Sequence, residues 1–235
     1  MGPYFGMRRG RPCVICELIW HRILGAIWHN RQLFAEGAWT SWLIDHLSFL
    51  FCLMLNSARL RLRLWREEDL PAFAALNADP EAMEYMPKCL NREESDQAAG
   101  RIREGLAQRG FGLWAVEVFG VSEFIGFTGL SVPSFDAHFT PCVEIAWRLA
   151  RKFWGFGYAT EAARLAMDYG FRSVGLDQIV SFTVVENLRS RKVMERLGMT
   201  HDPEDDFEHP RLPEAHRLRP HVFYRMNRAA WLREN

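Results

Sequence analysis

Two glycines just after a pair of basic residues form the stretch of this chain that is best suited to bind an anion. Gly155 and Gly157 follow Arg151 and Lys152, and apolar residues at helical spacing begin at Tyr158. Glycines let the backbone bend sharply and expose its amides, and the first N–H groups of a helix carry the positive end of its dipole. These residue types in this order predict a cradle for a phosphate group.

A predicted strand and a predicted helix flank this glycine turn. In the mostly apolar run Pro141–Leu149, Val143, Ile145 and Trp147 alternate with Glu144, Ala146 and Arg148, as in a strand. The apolar positions from Tyr158 to Tyr169 recur at helical spacing. A nucleotide P-loop is disfavoured because its Gly-Lys-Ser/Thr ending is missing, and a Rossmann fingerprint needs a third glycine. A tight strand-to-helix connection without a ligand is the alternative interpretation.

The turn also resembles a known cofactor loop. The run Lys152–Gly157, KFWGFG, and the YATEA that follows it are similar to the acyl-CoA pyrophosphate loop of the GNAT superfamily of N-acetyltransferases. The branch that contains the ribosomal-protein N-terminal (alanine/serine) acetyltransferases is especially similar. The resemblance extends from about Arg59 to Arg228. It implies an α/β GNAT fold, with a mixed, mostly antiparallel sheet of about six to seven strands, flanking helices, and a V-shaped splay between the fourth and fifth strands.

The resemblance further implies acetyl-CoA as the cosubstrate and no metal. The backbone of Ile145 to Arg148 is expected to pair with the pantetheine amides, in the manner of an added strand, and the amides around the turn to hold the pyrophosphate. Asn187 begins a second similar segment, although a role as a helix N-cap alone would explain it. The expected cofactor-binding residues are Ile145, Ala146, Trp147, Arg148, Arg151, Lys152, Phe153, Trp154, Gly155, Phe156, Gly157, Tyr158, Ala159, Asn187, Arg189 and Ser190.

Two residues are candidates for proton transfer. Glu144 lies on the strand before the turn and alternates away from its apolar face, so it is the predicted base, with a structural carboxylate as the alternative. Many members of the superfamily place a Tyr seven residues after the Asn as proton donor to the thiolate, but here that position is Met194. Ser190 is the nearest hydroxyl and corresponds to the donor proposed for the N-terminal acetyltransferase branch. Water could also supply this proton, because a thiol pKa is about 8.5.

Composition excludes several classes of protein. The 235 residues include 29 basic and 29 acidic side chains, so bulk charge favours neither nucleic acid nor a membrane surface as a partner. The five cysteines are odd in number and scattered, which argues against a disulfide framework and predicts a cytoplasmic location. Four histidines between His201 and His221 lack the tight spacing of metal ligands. A monomer or a homodimer is expected.

The chain divides into an N-terminal extension, residues 1–55, and an acetyltransferase domain, residues 56–235. The apolar run Leu47–Leu55 is about half the length that spans a bilayer, and Cys13 and Cys16 have no second ligand pair. One interpretation is a helical extension that associates with a membrane or a partner. The other, which we favour, is that residues before Met54 are upstream sequence outside the natural product.

Alternation and breaker residues predict the remaining elements of the domain. The segment around Met83, Tyr85 and Met86 either lines a substrate pocket or packs in the core. The proline-rich segment from His201 to His221 is a loop, either a lid over the acceptor or an ordered surface loop. The predicted strands are Arg59–Trp65, Phe111–Phe119, Glu123–Val132, Gln178–Glu186 and Val222–Met226. The predicted helices begin at Glu67, Glu81, Asn91 and Leu188, and the last two end near Gly110 and at Gly198.

The sequence therefore predicts an N-acetyltransferase that acts on a primary amine. A protein N-terminal α-amine or a small amine is the expected acceptor, because an α-amino pKa near 8 leaves a useful neutral fraction at pH 7. The alternatives are an antibiotic or polyamine acetyltransferase, and a non-catalytic acyl-CoA-binding sensor suggested by Met194.

Overall fold

The structure, a computed structural model, describes residues 54–234. The predictions about Cys13 and Cys16, about the run from Leu47 up to residue 53 and about the N-terminal extension lie outside the described residues.

A mixed sheet of nine strands runs through the described residues. Three of these strands have only two residues, which is why the sheet exceeds the predicted six or seven strands. The strands are β1 Leu55–Asn56, β2 Leu60–Arg63, β3 Leu113–Val118, β4 Ser122–Ser131, β5 Glu144–Leu149, β6 Gln178–Val184, β7 Thr200–His201, β8 Phe207–Glu208 and β9 Pro220–Asn227. Their order is β1-β2-β3-β4-β5-β6-β9-β7, with β8 also paired to β9.

Five α-helices accompany the sheet in this part of the chain. Asn91 caps the second of them by accepting a hydrogen bond from the Glu94 amide, and Gly110 ends it at φ 72°. Both residues were predicted from sequence as helix boundaries. The helices are α1 Leu70–Ala78, α2 Arg92–Arg109, α3 Tyr158–Tyr169, α4 Leu188–Arg196 and α5 Arg228–Glu234.

The two faces of the sheet have different cores. On one face, Ile145 and Leu149 of β5 pack in a cluster that includes Ala162 and Met167 of α3. On the other face, Phe127 of β4 packs with residues of α1 and α2. Because side chains alternate along a strand, Glu144, Ala146 and Arg148 point toward this second face.

The splay predicted between the fourth and fifth strands occurs between β5 and β6. These neighbours are parallel and share one register pair in the described structure, Glu144 with Val180, whereas the other paired strands are antiparallel. The Ser181 hydroxyl still donates to the Ile145 carbonyl at 3.0 Å. Past this point the β5 edge has no register partner on the β6 side, so its backbone is open to a ligand.

Two sequence predictions of local structure were wrong. Glu81–Met86 forms successive turns instead of a helix, because Pro80 and Pro87 leave too few residues to propagate one. The segment from 201 to 221 was expected to be a loop, but it includes the end of β7, all of β8 and the start of β9. Strands β7 and β8 exist only because they pair with β9, a partner that local sequence does not reveal.

An unexpected ion-pair cluster fixes the start of the domain. Arg63 is almost fully buried, and it pairs with Asp69 at 2.7 Å and with Glu117 at 3.1 Å. A buried arginine needs such partners. Glu117 lies within the otherwise apolar strand β3 and also needs a partner, which Arg63 supplies.

Neither a membrane span nor a metal cluster is found in the described part of the chain. No helix there combines the length and the apolar character required to cross a bilayer. His, Cys, Asp and Glu side chains of residues 54–234 form no group of three or more that could hold a metal ion.

Candidate active site

The glycine turn joins β5 to α3 through backbone conformations that favour glycine. Gly155 and Gly157 have φ values of 84° and 81°. A Cβ at Gly155 would meet nothing within 4 Å, so conformation rather than crowding requires glycine there. Gly157 is the N-cap of α3, and no side chain caps this helix. The first amides of α3 are therefore available to an anion.

An ion pair braces this turn from the side of β1 and β2. Arg59 donates to the Phe156 carbonyl at 3.3 Å and to Glu161 at 2.8 Å, and Ser57 donates to Glu161 at 2.6 Å. Burial alone would raise the pKa of Glu161, but the hydrogen bonds from Ser57 and Arg59 outweigh it and lower this pKa below its ordinary value. Glu161 is therefore ionised in the first turn of α3, and the charge of Arg59 balances its own.

The turn opens into a cavity of about 320 Å³, which we call the glycine-turn cavity. It lies between the end of β5, the start of α3, α4 and the turns after residue 80. Its lining is Glu81, Ala82, Tyr85, Met86, Trp147, Arg148, Leu149, Phe153, Trp154, Gly155, Gly157, Tyr158, Ala159, Thr160, Asn187, Arg189, Ser190, Lys192, Val193 and Arg196.

A group of contacts joins the two walls of this cavity at Arg189. Its guanidinium lies 4.6 Å from the Trp154 ring centroid and pairs with Glu84 at 2.5 Å. The Tyr85 hydroxyl donates to the Glu186 carbonyl at 3.2 Å. These contacts connect the turns after residue 80 with the start of α4.

Arg148 supplies a half-buried positive charge to the same cavity. It donates to the Asn77 side chain at 2.9 Å and lies 5.3 Å from the Phe127 ring centroid. Burial lowers its pKa to about 10, so Arg148 remains protonated at pH 7.

The start of α4 places Asn187 and Ser190 on the cavity wall. Asn187 accepts from the Ser190 amide at 3.2 Å and donates to the Thr183 hydroxyl at 3.0 Å, so it acts as a helix N-cap. Ser190 is half-buried in the cavity lining. Met194 is 1% exposed and packs in the core, so it takes no part in the cavity.

Glu144 begins β5 outside the glycine-turn cavity. It is half-buried, and Ser131 donates a hydrogen bond to its Oε2 at 3.3 Å. Burial raises the pKa of Glu144 to about 8, an effect that the Ser131 hydrogen bond partly opposes. Burial and the Glu144 charge also raise the pKa of Cys142 to about 11, so this thiol stays protonated. A carboxyl group with a pKa near neutrality is suited to exchange a proton with an amine.

Eleven of the sixteen expected cofactor-binding residues line the glycine-turn cavity. The Ile145 side chain is buried in the core, and the Ala146 carbonyl accepts from Thr128 at 3.0 Å. Arg151 pairs with Glu81, and Lys152 lies over the Phe153 ring. Phe156 is 58% exposed and stacks on Tyr158.

Sequence reasoning missed several lining residues. Val193 and Arg196 follow Ser190 at helical spacing, a signal that could have placed them beside it. Thr160 directly follows Ala159 in the YATEA run, whereas Glu81 has no such signal. Tyr85 and Met86, which were left open between pocket and core, line the cavity, whereas Met83 is 5% exposed and belongs to the core.

A second cavity, of about 240 Å³, lies between α2 and the ends of β3 and β4. We call it the arginine cavity. Ser131 belongs to its lining and is also the hydrogen-bond donor to Glu144. Sequence analysis did not anticipate it. Its lining is Ala98, Arg101, Ile102, Arg109, Leu113, Leu130 and Ser131.

Aromatic rings cover β6 and β9 on the sheet face to which Glu144 points. Phe182 and Phe223 are register partners there, and Phe139 lies 4.5 Å from the Phe223 ring centroid. His209 and His221 join the cluster 5.1 Å apart, and burial lowers both of their pKa values. The segment from 201 to 221 thus borders this face.

The splayed sheet and the uncapped helix after a glycine turn define a class of protein, and the comparisons agree with that class. The family model described as "Acetyltransferase (GNAT) domain" matches residues 59–200. The chain belongs to the GNAT acetyltransferase family and is an acyltransferase; this family uses acetyl-CoA as its acetyl donor.

The relatives differ in what their names describe. FsC-acetyl coenzyme A-N(2)-transacetylase of Aspergillus fumigatus is 32% identical over 188 residues, covering 76% of this chain and 78% of that protein. A GNAT acetyltransferase structure from Bacillus anthracis has a TM-score of 0.62 at 23% identity, covering 75% of this chain and 99% of its own. A ribosomal alpha-N-protein acetyltransferase in complex with coenzyme A has a TM-score of 0.60 at 19% identity, covering 75% of this chain.

Proposed function

We propose that this protein transfers the acetyl group of acetyl-CoA to a primary amine, either a protein N-terminal α-amine or the amine of a small molecule. The observation that carries the proposal is the uncapped start of α3 behind Gly155 and Gly157, which opens into a cavity beside the unpaired edge of β5. A diphosphate at the helix start and an amide-bearing arm along the strand edge match these two features.

The donor binds through backbone groups in this proposal. Amides of the glycine turn and of Tyr158 and Ala159 hold the pyrophosphate, and the β5 backbone from Ile145 to Arg148 pairs with the pantetheine arm. The charge on Arg148 and the cations Arg189 and Lys192 in the lining favour an anionic ligand.

Glu144 acts as the base. The amine nitrogen attacks the thioester carbonyl, its proton passes to Glu144 directly or through water, and the C–S bond breaks to release coenzyme A. A base with a pKa of about 8 is matched to an α-amino group, whose ordinary pKa is also near 8. Ser190, in the cavity lining, is the proposed proton donor to the departing thiolate, with water as the alternative.

The relatives bear on the acceptor in two ways. The Aspergillus relative is named for transfer to an N(2) nitrogen, which supports an amine acceptor. The ribosomal alpha-N-protein acetyltransferase structure is only 19% identical and supports the fold alone, so our proposal of that branch rests on the resemblance of the turn motif. A non-catalytic sensor is less favoured, because Glu144 and Ser190 both remain even though Met194 lies in the core.

Thiol release from acetyl-CoA tests the proposal. The purified protein is incubated with acetyl-CoA and, separately, with peptides, small amines, polyamines and aminoglycosides. Amine-dependent release of coenzyme A is expected. Binding of coenzyme A without turnover on any amine would favour the sensor, and failure to bind coenzyme A would overturn the proposal.

A further inference from the structure

The arginine cavity contains two guanidinium groups without an acidic partner. In the described structure, neither Arg101 nor Arg109 takes part in an ion pair or a side-chain hydrogen bond, and the cavity lining includes no carboxylate. Arg103, on the same helix but outside the cavity, instead pairs with Glu67 at 2.6 Å. Of the four arginines of α2, the two without an ion pair are thus the two that border the cavity, and both residues are exposed.

Gly105 explains where the Arg109 guanidinium lies. A Cβ at this buried glycine would be 2.2 Å from Nη2 and 3.2 Å from Cζ of Arg109. The guanidinium therefore occupies the volume that a side chain at residue 105 would fill. Glycine destabilises the interior of a helix relative to alanine, so this residue is unfavourable for α2 alone. Its presence lets Arg109 fold back along the helix toward Arg101.

The surroundings of these cations suit an anion of modest size. Apolar side chains of Ala98, Ile102 and Leu113 form much of the wall, and charge–charge attraction is stronger beside such a surface than in bulk water. A volume of about 240 Å³ is below the range of about 300–1,000 Å³ for drug-sized ligands, which points to a group of amino-acid size.

The cavity is also connected to the proposed base. Ser131 and Glu144 are register partners on β4 and β5, and the Ser131 hydroxyl donates to the Glu144 carboxyl group at 3.3 Å. A molecule in the cavity that contacts Ser131 is therefore one residue away from Glu144.

We propose that the arginine cavity binds the anionic group of the acceptor, so that the acceptor is a small amine that also carries a carboxylate. Arg101 and Arg109 bind the carboxylate, and the amine extends past Ser131 toward Glu144. This inference rests on the proposed function and specifies its substrate class. Polyamines and aminoglycosides are disfavoured, because two unpaired guanidinium groups repel additional cations.

Binding to the complex with coenzyme A tests the inference without requiring turnover. Short straight-chain amino carboxylates, their methyl esters and diamines of equal length are titrated calorimetrically into the full-length protein saturated with coenzyme A. Each carboxylate is expected to bind at least about tenfold more tightly than its methyl ester, because charge-assisted hydrogen bonds are lost in the ester. The diamines are expected to bind most weakly.

Three variants locate the effect. The double variant Arg101→Gln/Arg109→Gln is expected to lose about tenfold or more in affinity for the carboxylates and little for the esters. Gly105→Ala displaces the Arg109 guanidinium without removing charge, and it is expected to weaken carboxylate binding severalfold while leaving the helix intact. The matched control Arg103→Gln is expected to change the affinity less than about twofold.

The results separate this inference from the proposed function. Equal binding of carboxylates and esters, undiminished carboxylate binding by the double variant, or an equal loss in Arg103→Gln would overturn the inference. Preference for a peptide N-terminus that is independent of both arginines would overturn it as well. Arginine-dependent binding of carboxylates with no acetyl transfer would support the anion site and overturn the proposed function.

Discussion

The two cavities are built in different ways. Half of the lining of the glycine-turn cavity comes from one continuous segment, the end of β5 through the start of α3, and its proposed ligand contacts are largely backbone amides. The arginine cavity is formed by α2, the start of β3 and the end of β4, all between residues 98 and 131, and its proposed ligand contacts are side-chain guanidinium groups. All members of the family use the same acetyl donor, whereas the acceptor differs from one enzyme to another. Backbone amides can therefore bind the shared donor, and side chains must determine which acceptor binds.

This comparison predicts that the acceptor side depends on single side chains. Replacing Glu144 with Gln keeps the size and the hydrogen bond from Ser131 but removes the base. We expect kcat/KM to fall by about 10²- to 10⁴-fold. A carboxylate accepts a proton only when ionised, so in the wild type kcat/KM should rise with pH up to about 8. Steady-state kinetics between pH 6 and pH 9 measures both effects.

The acceptor amine also titrates near pH 8, so the diagnostic quantity is the difference between the two profiles. The kcat/KM of the wild type should rise more steeply with pH. The kcat/KM of Glu144→Gln should follow only the deprotonation of the acceptor amine. The exposed Glu123→Gln is the control and should behave like the wild type. Full activity of Glu144→Gln would show that Glu144 is not the base. The acceptor side would then have no side chain on which catalysis depends.

The donor side should depend on backbone conformation. Gly155 and Gly175 form a matched pair, since their φ values are 84° and 80° and a Cβ at either would meet nothing within 4 Å. Valine at each position should cost about 1–2 kcal/mol of stability through strain at positive φ. Only Gly155→Val should weaken coenzyme A binding, by about ten- to a hundredfold, because only it reorients amides in the cavity.

Calorimetric titration with coenzyme A and denaturant unfolding measure these two quantities separately. Equal coenzyme A affinity in the two valine variants would mean that the glycine turn is only a connection between β5 and α3. The donor site would then have to be sought elsewhere in the domain.

The same contrast explains how much could be predicted from sequence. Asn91, Gly110, Asn187 and Gly198 mark helix ends by local backbone requirements, and the splay followed from a family resemblance carried by the glycine turn. Most of the expected cofactor residues meet in one cavity for the same reason, because their arrangement depends on neighbours in the chain.

The rest depended on contacts between distant segments. Strands β7 and β8 need β9, and the burial of Arg63 becomes understandable only when Asp69 and Glu117 surround it. Arg101 and Arg109 are exposed residues of a polar helix, as the sequence indicates. Their proximity to a cavity follows from how α2 packs against the sheet, which no local pattern specifies.

A stability measurement tests the burial of Glu144 independently of catalysis. The folded protein keeps the Glu144 proton up to a pH of about 8, whereas the unfolded chain releases it near 4.5. Between these values unfolding releases a proton, so this group makes stability decrease as the pH rises. Glutamine does not titrate. The stability advantage of Glu144→Gln over the wild type should therefore grow between pH 5 and pH 8, by about 3 kcal/mol.

Denaturant unfolding of both proteins across this pH range provides the measurement. Parallel stability curves would mean that Glu144 titrates at its ordinary value in the folded state. The pH dependence expected for kcat/KM would then have to come from the acceptor amine alone.

The smallest effect is expected for Ser190→Ala, on the donor side. The hydroxyl is a weak acid, and coenzyme A can leave as a thiolate because a thiol pKa is only about 8.5. The Asn187 cap bonds the Ser190 amide rather than its hydroxyl, so alanine keeps the start of α4. We expect kcat to fall by no more than about fivefold, with coenzyme A affinity unchanged. A fall in activity that approaches the one expected for Glu144→Gln would show that the donor side also depends on one side chain. The proposed division between a backbone-bound donor and a side-chain-bound acceptor would then be wrong.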